Sequence, residues 1–207
     1  MAVFITFEGG EGSGKSTQAR ALRRRLRRAN TRVLLTHEPG GTPLGTRLRR
    51  WLKTQCDIDP LTELLLFNSS RAHLVSRVIL PALDQGVVVI CDRFAESTTA
   101  YQGYGRGLDL QVVHAINNVA TQGLQPDLIV FLDVPVEQGL ERKGAHDRFE
   151  REETAFHQRV RHGYLQMAGR DPQRWLVVDG TLPKNTVQRL IWERVEPLVG
   201  LRDEPHP

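Results

Sequence analysis

The chain has 207 residues, of which 40% are hydrophobic and 25% charged, with a formal net charge of +4. This is length for one sizeable core and the balance of a globular domain, not of a disordered or fibrous chain. Apolar runs stay far short of a bilayer span. The two cysteines, Cys56 and Cys91, offer neither metal-ligand spacing nor a disulfide framework, so the sequence predicts a reducing, cytoplasmic setting with no membrane partner.

Strand and helix patterns alternate along the chain. Val3 to Phe7 is a short β-branched and aromatic run that reads as a buried strand. It leads into Gly9-Gly10-Glu11-Gly12-Ser13-Gly14-Lys15-Ser16-Thr17, which fits G-x-x-x-x-G-K-[ST]. Ala19, Leu22, Leu26 and Ala29 then recur at helical spacing. Seven arginines between Arg20 and Arg32 read as the solvated face of that helix; a nucleic-acid patch is the alternative, and no nucleic-acid partner is expected. Val33 to Thr36 reads as a second strand, followed by a Gly- and Pro-rich loop, His37 to Pro43. Leu44 to Lys53 reads as a helix. Leu61 to Leu83 reads as one long helical stretch, kinked or ended at Pro81 and stopped by Gly86.

Val87 to Cys91 is a continuous apolar run, the mark of a central parallel strand, and it ends at Asp92-Arg93. The following stretch to Gly107 is polar. Val112 to Ala120 marks a helix, Leu128 to Leu132 a strand ending at Asp133, and Val136 to Arg142 a helix start. Lys143 to Glu152 lacks apolar periodicity and reads as a mobile loop. Phe156 to Met167 suggests a helix, Trp175 to Val178 a fifth strand ended by Asp179-Gly180, and Val187 to Leu198 a last helix. The tail from Arg202 reads as frayed. Five strands alternating with helices predict a single three-layer α/β/α P-loop domain over 1–207 with a parallel sheet. Ligands of such folds sit at the carboxyl ends of strands, a rim that collects Glu8, His37-Glu38, Asp92-Arg93, Asp133 and Asp179.

The glycine loop predicts phosphate binding. Glycines let backbone N–H groups approach phosphate oxygens, and the helix N-terminus adds partial positive charge. Lys15 suits the β- and γ-phosphates, and the Ser16 hydroxyl suits Mg²⁺. Such a loop serves switches, motors, transporter subunits and kinases alike. Asp92 offers an acid for a Mg²⁺-bound water or an acceptor hydroxyl, and Arg93 a fork for phosphate. No N-K-x-D base-reading motif is visible. For Phe67 and Tyr101, spacing alone favours core packing.

Several further segments carry a family resemblance. They are Phe4 to Gln18, Glu38-Pro39-Gly40-Gly41-Thr42, Phe67-Asn68-Ser69-Ser70-Arg71, Asp92-Arg93-x-x-x-Ser97-Thr98-x-Ala100-Tyr101-Gln102-Gly103, Gly105-Arg106-Gly107, Pro126-Asp127-Leu128 with Leu132-Asp133-Val134, and Asp147-Arg148-x-Glu150. In that order they resemble the bacterial thymidylate kinases over nearly the whole chain. The resemblance implies ATP-dependent, Mg²⁺-assisted phosphorylation of dTMP to dTDP by a homodimer. It implies that Gly9 to Thr17 hold the ATP phosphates, and that Ser16 and Asp92 hold the metal. Arg93 would hold the dTMP phosphate, Phe67 would stack on thymine, and Arg71 would hydrogen-bond the base. Ser97, Thr98, Tyr101 and Gln102 would line base and sugar, with Tyr101 disfavouring a ribose 2′-OH. Glu11 would approach the acceptor sugar and orient Arg93, and Pro39 would form a pocket wall.

The match departs from the family pattern at two places. His37 stands where the family usually has arginine. The lid, about 142–152, is a few residues short and lacks part of its R-x-R-G segment, while Glu11-Gly12 leaves the phosphate loop without an arginine. The expected catalytic cation therefore comes from Arg142, Lys143 or Arg148. Adenine is expected near the loop after Asp179-Gly180.

Overall fold

A computed structural model of the chain describes residues 2–54, 58–143 and 148–201. Cys56, the lid residues 144–147 and the tail from Arg202 fall outside these described residues. Strands β1 (Phe4–Glu8), β2 (Val33–His37), β3 (Val88–Asp92), β4 (Leu128–Asp133) and β5 (Trp175–Asp179) form one parallel sheet in the order β2-β3-β1-β4-β5. Thr6 of the central β1 lies opposite Cys91 on one side and Ile129 on the other.

The continuous apolar runs follow from burial of both sheet faces. On β4, Leu128, Val130 and Leu132 pack with Ile5, Ile90, Leu22 and Leu26 of α1 (Lys15–Arg28) and Ile191 and Val195 of α9 (Lys184–Leu198). The alternating residues Ile129 and Phe131 face the other way, towards Phe156, Val160 and Tyr164 of α8 (Thr154–Arg170). Phe4, Val89 and Cys91 meet Leu74, Val75 and Ile79 on that same second face. The expected three layers result. Among the described residues no helix is long and apolar enough to cross a membrane.

The stretch read as one helix from Leu61 to Leu83 is helical but not uniform. It starts at α3 (Pro60–Leu74), capped by the Asp59 carboxylate, which accepts from Leu61 N and Thr62 N. It widens into a π-type turn, Val75–Ile79, and resumes as α4 (Leu80–Asp84). Pro81 has no N–H and crowds the carbonyl four residues back, at Arg77, so the wider turn falls where proline disturbs the α-pattern. The polar pattern of 94–107 names no element by itself. The segment is helical: α5 (Ala95–Thr98) continues into a π-type stretch, Thr99–Gly105. Its polar residues Ser97, Thr98, Thr99 and Gln102 are buried with partners, which erases the apolar stripe that marks a helix. Helices α2 (Pro43–Thr54), α6 (Leu110–Thr121) and α7 (Val136–Lys143) stand near their expected positions. In the segment read as a mobile loop, 148–152 form turns, and Phe149 and Glu150 are buried.

Ile90 is 0% exposed between β1 and β2 and contacts the α1 side of the sheet. Ile90→Ala is expected to cost about 2–5 kcal/mol, read as a lower urea midpoint with an unchanged slope.

Candidate active site

The glycine loop takes its shape from left-handed backbone at Gly9, Gly12 and Gly14, with φ of 146°, 65° and 92°. It rests on α7 at very close range. A Cβ on Gly12 would lie 2.0 Å from the Gly139 carbonyl oxygen, and one on Gly139 would lie 2.4 Å from the Glu11 carbonyl oxygen. Two facing glycines thus set how near the loop approaches its floor. Helix α1 begins at Gly14 without a side-chain cap, unlike α3 and α6, so its first N–H groups remain available to an anion. Lys15 curls back over the loop, donating from Nζ to the Gly10 carbonyl at 2.6 Å and to Ser13 Oγ at 3.1 Å. Burial lowers its pKa to about 8. The Ser16 hydroxyl donates to Asp92 Oδ2 at the end of β3.

Arg93 follows β3 in left-handed backbone, φ 71°, which is uncommon for a side chain with a Cβ. Its guanidinium spans two regions. Nη1 donates to the Gly9 carbonyl at 3.1 Å and to Ser97 Oγ at 3.1 Å. Nη2 donates to Glu11 Oε1 at 2.7 Å and to the Tyr101 hydroxyl at 3.1 Å, and Tyr101 itself donates to Glu11 Oε1 at 2.8 Å. Beneath this junction, Glu8 is fully buried and accepts from Phe94 N at 2.7 Å, Ser97 Oγ at 2.6 Å and the Tyr164 hydroxyl at 3.0 Å. Burial raises the Glu8 pKa, and its three donors oppose that rise.

From the loop a cavity of about 630 Å³ runs to Phe67, Arg71, Tyr101 and Phe149. Arg71 forms its far wall, 1% exposed. All five of its N–H donors have acceptors: Glu38 Oε2 at 2.7 Å, Asn68 Oδ1 at 3.0 Å, Asn117 Oδ1 at 2.8 Å, the Phe94 carbonyl at 3.0 Å and Thr98 Oγ1 at 2.7 Å. A base reaching Arg71 must share or replace one of these bonds. Burial raises the Glu38 pKa to about 7, against the pull of Arg71. Phe67 and Phe149 sit 5.9 Å apart at 55°, and Phe149 meets Tyr101 edge-on at 6.1 Å. The Pro39 carbonyl accepts from Arg49 Nη1 at 3.1 Å.

The family model for thymidylate kinase matches residues 7–191. A thymidylate kinase of Dehalococcoides mccartyi is 52% identical over 209 residues, with 99% of this chain and 100% of the relative covered. One from Thermomicrobium roseum is 51% identical over 199 residues, covering 94% and 95%. The crystal structure of a thymidylate kinase from Ehrlichia chaffeensis superposes with a TM-score of 0.79 at 34% identity, covering 94% of this chain and 98% of that one.

The chain belongs to the thymidylate kinase family.

The structure brings most of the sequence-predicted residues to one cavity. Glu11, Lys15, Ser16, Pro39, Phe67, Arg71, Asp92, Arg93, Ser97, Thr98, Tyr101 and Gln102 all line it. The lid cations separate. Arg142 lines the cavity and donates to the Gly180 carbonyl at 3.3 Å. Arg148 is directed elsewhere: its Nε donates to the Leu52 carbonyl at 2.7 Å and its Nη2 to Glu63, a fully buried acid on α3 that draws it from the phosphate loop. The Lys143 side chain falls outside the described residues. Two rim acids are spent on structure. Asp133 holds Arg161 through two hydrogen bonds of 2.6 and 2.9 Å, and Asp179 accepts from Thr181 N and Oγ1.

Sequence reasoning missed Arg49, Glu63 and Phe149. Arg49 and Glu63 look like ordinary helix charges. Phe149 stands alone among charged residues, so periodicity gives no signal, although it directly follows Arg148 of a quoted motif.

The low pKa of Lys15 has a binding consequence. A bound anion raises it, so affinity for a nucleoside triphosphate is expected to fall as pH rises through about 8, by up to tenfold per unit. Titration calorimetry at constant ionic strength reads this, and Lys15→Ala is expected to bind weakly with no such step.

Proposed function

We propose that this chain transfers the γ-phosphoryl group of ATP to the 5′-phosphate of dTMP, giving ADP and dTDP. An acceptor phosphate oxygen attacks the γ-phosphorus, and the bond to the β–γ bridging oxygen breaks with its electrons leaving on ADP. The observation that carries the reading is Arg93. Its guanidinium touches the phosphate loop at Gly9 and Glu11 and the acceptor cavity at Ser97 and Tyr101, so one cation serves the point where two phosphates meet.

Roles for the other residues follow from their places. The uncapped α1 terminus and Lys15 receive the donor phosphates. Phe67 and Phe149 offer aromatic faces to thymine, and Arg71 and Gln102 its polar contacts. Tyr101, held by Glu11 and Arg93, takes the role of disfavouring a ribose 2′-hydroxyl in this reading. Ser16 and Asp92 fit Mg²⁺, a hard cation that takes oxygen ligands. When bound, Mg²⁺ neutralises charge on the β- and γ-phosphate oxygens. A homodimer also belongs to this reading. Leu61 and Leu65 on α3 and Val112 and Val119 on α6 are exposed and supply apolar surface for it.

The direct test is ADP release with ATP and Mg²⁺, comparing dTMP, dUMP, UMP, CMP, AMP and no acceptor. The reading expects strong turnover with dTMP, less with dUMP and almost none with UMP. Equal release without acceptor would replace it with an ATPase. Of the lid cations, Arg142 is the one we assign to the transferring phosphoryl group, since it lines the cavity while Arg148 is held by Glu63. Arg142→Ala is expected to lower kcat by about 10³, with a smaller change in KM; kcat within a few-fold of wild type removes that role.

A further inference from the structure

Glu63 is a fully buried carboxylate that the transfer chemistry does not use. It collects donors from three residues on two segments, the Thr99–Gly105 stretch with its capping Arg106 and the turn at Arg148. Gln102 Nε2 donates to its Oε1 at 2.6 Å. Arg106 approaches Oε1 through Nε and Oε2 through Nη2, each at 3.4 Å, and Arg148 donates to Oε2. The first of these bonds reaches into the acceptor cavity, because Gln102 lines it.

A carboxamide fits a site in two nearly isosteric ways, with oxygen and NH₂ exchanged, and only its partners decide between them. An ionised carboxylate flanked by two guanidiniums accepts and does not donate. Gln102 must therefore turn its NH₂ towards Glu63. Its amide oxygen takes no hydrogen bond among the described residues, and it is not one of the sealed polar atoms, unlike Glu38 Oε1 and Ser70 Oγ. With its NH₂ taken by Glu63, Gln102 offers the cavity that it lines together with Arg71 an acceptor, where Arg71 offers only donors.

We propose that Glu63 is a positioning residue for base selection, holding the Gln102 amide so that its oxygen accepts from a protonated ring nitrogen. The inference rests on the reading of this cavity as the dTMP site. Thymine and uracil present N3–H, a donor, between two carbonyls. Cytosine presents N3 as an acceptor, which leaves two lone pairs facing each other. A Gln102 free to turn would serve either base; a Gln102 held by Glu63 serves only the first.

The test compares kcat/KM for dTMP and for dCMP in wild type, Glu63→Gln, Gln102→Leu and the double variant. The replacement glutamine at 63 both donates and accepts, so it releases the Gln102 amide while nearly keeping its own shape. A ratio of two substrates measured on one sample does not depend on the folded fraction, so a merely structural loss leaves it unmoved. Glu63→Gln is expected to lower the dTMP preference by about tenfold or more. Gln102→Leu is expected to lower it too, and Glu63→Gln added to Gln102→Leu is expected to change it no further. An unchanged ratio in either single variant overturns the proposal, as does an equal effect of Glu63→Gln in the Gln102→Leu background. If Glu63→Gln fails to fold, Glu63→Asp, which keeps the charge but withdraws the carboxylate from the Gln102 amide, is compared in the same way, and an unchanged ratio there overturns the proposal. Wild type inactive on dTMP would overturn the cavity reading itself, a failure distinct from active wild type with unmoved ratios.

Discussion

The guanidinium of Arg93 is the interaction on which the rest of the site depends. It joins the phosphate loop, the acid Glu11 and the hydroxyls of Ser97 and Tyr101 with one rigid fork. Lysine has no such geometry, since an ammonium is a point charge on a flexible stem. The cost is a left-handed backbone at Arg93, held because β3 ends immediately before it and Phe94 N is fixed by Glu8. Phosphoryl transfer needs little covalent help from protein, so placing charge where phosphates meet is the main contribution a fold can make.

That placement is supported by polar groups buried under the site. Glu8, Glu38, Glu63 and Arg71 lie between sheet and helices with almost no solvent contact. Glu38 pairs with Arg71 and Glu63 with Arg106 and Arg148, while Glu8 is held by neutral donors; removing one partner of a buried ion pair typically costs about 3–5 kcal/mol, because the remaining charge is stranded. Arg71 illustrates the consequence: with five acceptors it cannot swing, so the far wall of the cavity is fixed before any ligand arrives. The apolar core on the α1 and α9 side anchors the sheet. The opposite side carries the polar framework that shapes the cavity.

The parts of this architecture written in periodicity were legible. Strands buried on both faces leave apolar runs such as Val88 to Cys91, and the glycine loop announces itself by its spacing. What escaped is polar and long-range. Thr99–Gly105 is helical, but its buried hydroxyls and amides hide the stripe. Asp133 reads as one of the acids on the ligand rim, and nothing in the local sequence shows that Arg161, from α8, arrives to hold it. Arg148 reads as one of three candidate lid cations because its charge is visible in the sequence and its partner Glu63 is not. Segments resembling thymidylate kinases name residues that line one cavity, yet give no hint that Arg71 is already fully bonded.

The claim that one rigid fork at Arg93 couples donor and acceptor is tested most directly by a single-turnover measurement on Arg93→Lys with saturating ATP and dTMP. The charge is retained and only the fork geometry is lost. The account predicts that ATP still binds while the transfer rate falls by about 10²–10³. A transfer rate within a few-fold of wild type would contradict it, because a point charge would then suffice where the structure builds a fork.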